Sequence, residues 1–266
     1  TLRALDVLAS ADVLVAEDTR SLRKLMDIHG VPLAGRRSEA LHEHSKGAIV
    51  DRLVSRAAGG ESIAYASEAG MPLIAAPGFE LGRAARAAGV AVTCAPGPSA
   101  VLTALVVGGL PTDAFHFAGF LPATRSARQS ALAALAPVRA TLVMYESPKR
   151  VGAMLADAAR MLGGDRPATV CRELTKKFEE SRSGTLASLA ETYAQESVKG
   201  EVVVLIGRGA AVDVKEKDIE SALISALESM SVKDAAAFVS ETFGLPRRQI
   251  YQQALDVSRR DQGYDP

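Results

Sequence analysis

The amino-acid sequence predicts two α/β domains with a ligand crevice between them, followed by a small helical domain of helix-turn-helix type, with boundaries at residues 1–111, 112–211 and 212–266. Three observations carry that reading. Short apolar, β-prone runs alternate with stretches of helical spacing from the N-terminus to Ile206, the pattern of α/β folds. Two predicted strands stop in loops of small residues, glycine and proline, where an α/β sheet places its ligands. From Val212 onward the chain turns polar and helical: Ser231 and Asp234 stand at capping spacing, a helix stops at Gly244, and Pro246 opens a last helix.

Thr1–Ala11 carries Leu2, Leu5 and Leu8 at helical spacing, and Asp12–Ala16 reads as a strand. Glu17, Asp18, Thr19 and Arg20 then occupy a strand-to-helix turn. Asp18 or Thr19 can cap the helix that runs to Gly30. The same carboxylates and guanidinium could orient a ribose hydroxyl or grip a phosphate. His42 and His44 alternate on a possible strand, which would turn both imidazoles to one face, toward a crevice or simply toward solvent. A helix over Ser45–Ala58 follows.

The strand Ile63–Ala66 breaks into Ser67-Glu68-Ala69-Gly70-Met71-Pro72 and then Ala76-Pro77-Gly78, with a helix beginning near Phe79. Gly70 lets backbone approach a ligand, and Pro72 and Pro77 stiffen the loop around it. A second strand, Val90–Cys94, ends at Ala95-Pro96-Gly97-Pro98-Ser99-Ala100 and leads into the apolar helix Val101–Val107. Two such loops could wall one crevice. Gly108–Asp113 reads as a linker.

The second half repeats the alternation: strand His116–Ala118, helix Ser126–Leu135, strand Ala140–Tyr145, helix Pro148–Leu162, strand Ala168–Arg172, helix Leu186–Gln195 and strand Glu201–Ile206. Arg125 and Arg128 fall in a small-residue loop, either a clamp on RNA or solvated surface. Lys149 and Arg150 sit at a helix start, where cations oppose the helix dipole; a bound anion such as RNA phosphate explains them better than helix stability does. Arg172, Lys176 and Lys177 could extend that surface. Arg247 and Arg248 lie on the last helix, which either touches nucleic acid or only completes three-helix packing.

Several of these segments carry a family resemblance. Ser67–Pro72 with Ala76-Pro77-Gly78, and Pro96–Ala100, resemble the S-adenosylmethionine site of the tetrapyrrole methylase superfamily. Ala16–Arg20, Gly119–Pro122, Tyr145–Arg150, Arg172–Lys176 and Gly200–Val203 narrow the resemblance to the branch of bacterial ribosomal RNA 2′-O-methyltransferases, in consistent order over nearly the whole chain.

The resemblance implies methyl transfer from S-adenosyl-L-methionine to the ribose 2′-hydroxyl of a cytidine in small-subunit (16S) ribosomal RNA, on the RNA or the 30S subunit, by a cytoplasmic homodimer. It implies a cofactor site of Ser67, Glu68, Ala69, Gly70, Met71, Pro72, Pro98, Ser99, Ala100, Tyr145 and Glu146. It puts Glu17, Asp18 and Arg20 at the reaction, with one carboxylate as proton acceptor and Arg20 orienting the substrate. RNA would meet His42, His44, Arg125, Lys149, Arg150, Arg172, Lys176, Arg247 and Arg248. Two residues depart from the family pattern, Glu68 for a usual Asp and Met71 for a frequent Thr. Family members also begin with a strand and a Thr-Pro-Ile-Gly-Asn-type loop, a segment that would precede Thr1. The alternatives are a methylase of corrin precursors or protein side chains from the same superfamily, or a non-catalytic RNA-binding relative.

Composition bounds these readings. Of 266 residues, 48% are hydrophobic and 23% charged, ordinary for a globular chain of this length. No apolar run reaches the ~20 residues of a membrane span. Lys plus Arg equals Asp plus Glu at 31 each, so any RNA-binding surface must be a local stripe in a neutral total. Cys94 and Cys171 end β-prone runs and read as buried, reduced strand residues. No Cys/His spacing suggests a metal, and no Gly-x-Gly-x-x-Gly fingerprint marks the common nucleotide fold.

Overall fold

The computed structural model describes residues 1–42, 47–75, 77–209, 216–243 and 245–261. The chain divides into two compact units, Thr1–Arg208 and Gly209–Pro266. His44, Ala76 and the helix stop expected at Gly244 lie outside the described residues.

The first unit opens with α1 (Leu2–Ser10), β1 (Val13–Ala16), α2 (Thr19–Ile28), β2 (Ser38–Ala40), α3 (Gly47–Ala58), β3 (Ile63–Ala66), α4 (Phe79–Ala87) and α5 (Ala100–Val107). Its three strands form a parallel sheet in the order β2-β1-β3, with Leu14 opposite Ser38 and Ala64. The central strand is buried along its whole length, which is why Val13–Ala16 is an unbroken apolar run rather than an alternating one. Leu14 and Ala16 pack with Leu8, Leu22 and Met26 on one face, and Val13 and Val15 with Leu41 and Leu53 on the other.

Val90–Cys94 does not form the expected strand: among the described residues it joins no ladder, and Val92 and Cys94 are exposed. Its β-prone side chains favour extension, but a strand also requires a neighbour for its N–H and C=O groups. Cys94 is therefore an exposed thiol. Cys171 is buried, and burial pushes its thiol pKa up. His42 likewise follows the short strand β2 instead of lying on one, and is exposed.

The chain continues through β4 (Phe115–Phe120), α6 (Arg125–Leu135), β5 (Thr141–Glu146), α7 (Val151–Leu162), β6 (Pro167–Arg172), β7 (Glu180–Thr185), α8 (Leu186–Gln195) and β8 (Val202–Ile206). These strands build a mixed sheet, β4-β5-β8-β6-β7, in which β4 and β5 pair parallel and the other neighbours pair antiparallel. Strand β7 was not foreseen. It is a polar edge strand whose burial alternates along Glu180-Ser181-Arg182, so it shows no apolar run. Leu132, Met154, Leu155, Leu186 and Leu189 of α6, α7 and α8 cover one face of the sheet.

The other face is covered by α5, whose Val101, Ala104 and Leu105 pack on Val143, Cys171, Val203 and Leu205. Sequence spacing assigns α5 to the first domain, yet its core belongs to the second sheet. Gly108 permits this seat: a Cβ there would collide with the Leu205 side chain, and the Gly108 carbonyl accepts a bond from Thr169 Oγ1 at 2.8 Å.

The second unit consists of α9 (Glu216–Leu227), α10 (Val232–Phe243) and α11 (Arg247–Asp261) around Ile219, Leu223, Ala235, Val239, Ile250 and Ala254. Ser231 Oγ accepts from the Asp234 amide at 3.2 Å, the capping contact that the sequence spacing indicates. Arg247 and Arg248 are exposed in the first turn of α11.

One buried charge cluster holds α6 on α7. Asp157 accepts from Arg128 Nε at 2.8 Å and from Gln129 Nε2 at 2.7 Å, and its side chain is 5% exposed. Burial raises its pKa, but the bonds from Gln129 and Arg128 and their charge outweigh that, leaving it below the usual carboxylate value. Its contribution to stability is therefore full above the unfolded-state pKa and is lost as pH falls through the lowered folded value. Asp157→Ala should lower unfolding free energy by about 3–5 kcal/mol in urea titrations at neutral pH, because the Arg128 guanidinium stays buried without its partner. A loss below 1 kcal/mol would show that Arg128 escapes to solvent.

Candidate active site

Three segments converge at the carboxyl ends of β1 and β3. At the end of β1, Asp18 is the N-cap of α2 and accepts from the Arg20 amide at 2.7 Å. The same carboxylate binds the Arg20 guanidinium, with Nη2 at 3.0 Å from Oδ2, and that side-chain bond is the main reason its pKa falls below the ordinary value. Capping and ion pairing thus use one side chain. Arg20 is 91% exposed, so its guanidinium stays open to solvent beyond the pair. Glu17 is half-buried beside it, with its amide bonded to the Ala66 carbonyl at 3.2 Å.

The loop after β3 is fixed at both ends. Ser67 Oγ donates to the Gly70 carbonyl at 3.0 Å, closing Ser67–Gly70 into a tight turn. Farther along, Tyr65 Oη donates to the Pro77 carbonyl at 3.0 Å. Burial, and secondarily the charge of Glu17, pushes the Tyr65 phenol up to about 12, so it remains a donor at any working pH. Gly78 sits against this ring, with a φ of 113° and no room for a Cβ.

The third segment is the loop before α5, and the structure brings it onto the second. Gly97 N–H points at Met71 Sδ from 3.1 Å, and a Cβ on Gly70 would lie 3.6 Å from the Pro98 carbonyl. Gly70 has a φ of 69°, a backbone conformation that disfavours side chains. Thr1 Oγ1 donates to the Pro96 carbonyl at 2.7 Å and tethers the same loop to α1. Ser99 is the N-cap of α5 but makes no side-chain cap, while Tyr145 of β5 packs against the core cluster that holds Val101 at this helix start. Pro98 lies outside the helix, one residue before the cap. Ala69 and Gly70 are exposed, so the small-residue rim is open to a ligand.

The remaining predicted residues divide by what holds them. Tyr145 is partly buried, with Phe117 and Phe120 packed edge-on at 4.9 and 5.6 Å. Glu146, expected at the cofactor, is turned inward: its side chain is 1% exposed, with the Ser147 amide bonded to one oxygen and Arg150 at 3.2 Å from the other. Arg150 also donates to the Leu121 and Pro122 carbonyls, at 2.7 and 3.1 Å. The cation at this helix start is thus accounted for by internal partners, and no external anion is required.

Lys149 is exposed beside a groove between α7 and the end of α8. Arg125 lies at the first turn of α6, 3.4 Å from Asp157, with most of its side chain in solvent. Arg128, expected in a flexible loop, is instead part of the buried cluster. Arg172 pairs with Glu180 at 3.0 Å, and Lys176 with Glu173 and Glu201 at 2.9 and 3.0 Å. Sequence reasoning missed Ser21, which donates to Glu68 Oε1 at 3.1 Å, and Tyr65; neither belongs to a readable motif. Among the described residues no cluster of His, Cys, Asp and Glu could hold a metal, and no helix is long and apolar enough to cross a membrane.

Two parallel or mixed sheets, a small-residue crevice at their strand ends and a separate three-helix unit define a class that comparison with known proteins makes explicit. Residues 1–190 match the family of Tetrapyrrole (Corrin/Porphyrin) Methylases, and residues 213–258 match the RsmI C-terminal HTH domain. The chain belongs to the tetrapyrrole methylase family. Its relatives there include ribosomal RNA small subunit methyltransferase I of Mesorhizobium japonicum, 43% identical over 97% of this chain and 87% of that protein. The proteins of the same name from Mycobacterium tuberculosis and Vibrio cholerae are 43% and 40% identical, each over 96% of this chain and 89% of their own length. Among solved structures, the methyltransferase CobJ superposes with a TM-score of 0.59 at 19% identity, covering 79% of this chain and 88% of that one. Diphthine synthase gives 0.59 at 16%, covering 78% and 84%. At these identities the two structures speak to the fold alone.

Proposed function

We propose that this protein transfers a methyl group from S-adenosyl-L-methionine to the ribose 2′-hydroxyl of a cytidine in small-subunit ribosomal RNA. The observation that carries this reading is the meeting of the Ser67–Pro72 and Pro96–Ala100 loops, backbone against backbone, beside the Glu17–Arg20 turn. Relatives named for ribosomal RNA methylation, over nearly the whole chain, supply the acceptor class.

The residues present fit such a cofactor. Ala69 to Met71 and the uncapped start of α5 offer main-chain groups for the cofactor, so the site depends little on the side chains at 68 and 71. When bound, S-adenosylmethionine supplies a sulfonium methyl: the S–CH3 bond breaks, an O–CH3 bond forms, and the thioether leaves with the bonding pair. The chain's task is to place the ribose oxygen in line and receive its proton, and placement supplies much of the rate. Glu17 is the better proton acceptor, because Asp18 is committed to the helix cap and to Arg20, whose pairing makes it a weaker base. Arg20 orients the ribose or an adjoining phosphate.

RNA contacts fall to exposed basic side chains: Lys149, Arg125, His42, and Arg247 and Arg248 of the helical unit. The protein works as a cytoplasmic homodimer in this reading. The outer face of α5, where Leu102 is 55% and Val106 is 83% exposed, offers apolar surface for that pairing.

Two measurements test the reading. Gly70→Val puts a branched side chain into a left-handed backbone position and toward the Pro98 carbonyl, so S-adenosylmethionine affinity measured by calorimetry on the folded variant should drop by at least roughly ten-fold; unchanged affinity would remove this loop from the site. Methyl transfer to 30S subunits should weaken steeply with added salt, and Arg247→Ala with Arg248→Ala should lower the log–log salt slope by up to about two while cofactor affinity holds. A slope that does not change would take α11 out of the RNA interface.

A further inference from the structure

Beside the proposed reaction turn lies a cavity of about 210 Å3 that touches the cofactor loop only at Ser67 and Glu68, away from the Ala69–Met71 main chain proposed to meet the cofactor. It is formed by one side of α2 and the start of the loop after β3: Ser21, Lys24, Leu25 and Ile28 on the helix, Ser67 and Glu68 opposite. Drug-sized ligands occupy roughly 300–1,000 Å3, so this space suits one aromatic ring and not a whole nucleoside cofactor. Its two sides differ in chemistry. Leu25 is 43% and Ile28 67% exposed, an apolar wall with no covering partner among the described residues. Facing that wall is a carboxylate. Ser21 Oγ holds Glu68 Oε1 at 3.1 Å, and among the described residues no hydrogen bond reaches Oε2. Glu68 is also close enough to Arg20 for its charge to raise the guanidinium pKa, after the larger effect of Asp18. The cavity and the proposed catalytic turn therefore adjoin, with Ser21 one helical turn beyond Asp18.

We infer that this cavity receives the base of the target nucleotide and that Glu68 selects cytosine over uracil. The inference rests on the RNA-methylation reading above and assigns its base specificity. The base of a target nucleotide that turns out of the stack needs an apolar face to lie on and a polar group for its edge. Leu25 and Ile28 provide the face. An ionised carboxylate accepts hydrogen bonds and donates none, so it matches the exocyclic amine of cytosine and opposes the carbonyl oxygen that uracil carries at the same position. Lys24, the one cation lining the cavity, can donate to the remaining carbonyl of the ring. Ser21 is a positioning residue: its bond to Oε1 holds the carboxylate at the cavity wall.

The test compares methyl transfer by the full-length protein to 30S subunits whose target nucleotide is cytidine, uridine or a cytidine with both amine hydrogens replaced by methyl groups. The wild-type protein should prefer cytidine to either substitute by roughly ten-fold or more in kcat/KM. Glu68→Gln presents a donor as well as an acceptor, so the preference over uridine should fall at least about three-fold. Ser21→Ala should reduce the preference in the same direction by a smaller factor, a change that a purely structural role for Ser21 would not produce. The proposal is overturned if wild type uses the three targets equally, if Glu68→Gln keeps the full preference, or if it loses cofactor affinity, which would place Glu68 at the cofactor. If wild type methylates no RNA at all, the broader functional reading fails with it, a result readily told apart from methylation without base preference.

Discussion

The seat of α5 on the second sheet is the constraint on which the site depends. The helix is apolar on all sides, so burying Val101, Ala104 and Leu105 against Val143, Val203 and Leu205 fixes its axis. Gly108 lets its end reach β8, and Tyr145 of β5 packs against the core cluster at its start. The loop N-terminal to α5 then meets the loop after β3, with the Gly97 amide at Met71 and the Pro98 carbonyl beside Gly70. A chain segment predicted as part of the first domain thereby carries the second domain's geometry into the crevice.

Charge pairing decides which cations serve the fold and which remain for a substrate. Arg128, Arg150, Arg172 and Lys176 are each bonded to carboxylates or carbonyls within the first unit, and Arg128 and Arg150 hold buried partners. Arginine suits such roles because its planar fork satisfies several acceptors at once. The neutral overall composition follows from this pairing. RNA contacts in our account rely on a minority of basic residues, among them the exposed Arg247 and Arg248, which stand at a helix start with no acidic residue in the first turn.

Much of this was legible in the sequence where local pattern and tertiary outcome agree. Val13–Ala16, Ile63–Ala66 and Val202–Ile206 are short β-prone runs bounded by turn residues, and each is a strand; Ser231 with Asp234 announces a cap and makes one. The two small-residue loops were visible as glycine and proline after apolar runs, and the fold brings them together. Legibility ended where a partner decides the outcome. Val90–Cys94 has strand propensity without a ladder to join, whereas β7 has polar composition but a ladder waiting on β6. Lys149-Arg150 at a helix start signalled an anion, but the nearest anion is Glu146, four residues back in the same chain. Ser21 is one serine among many until the loop after β3 places Glu68 beside it.

The central claim is that the cofactor lies between the Ser67–Pro72 loop and the start of α5. Amide hydrogen exchange on the full-length protein, with and without saturating S-adenosylmethionine, addresses it residue by residue. The account predicts that added cofactor slows exchange in 67–72 and 97–101 and leaves the groove between α7 and α8, around 148–156 and 193–198, unchanged. Protection confined to that groove, with the two loops unaffected, would contradict it.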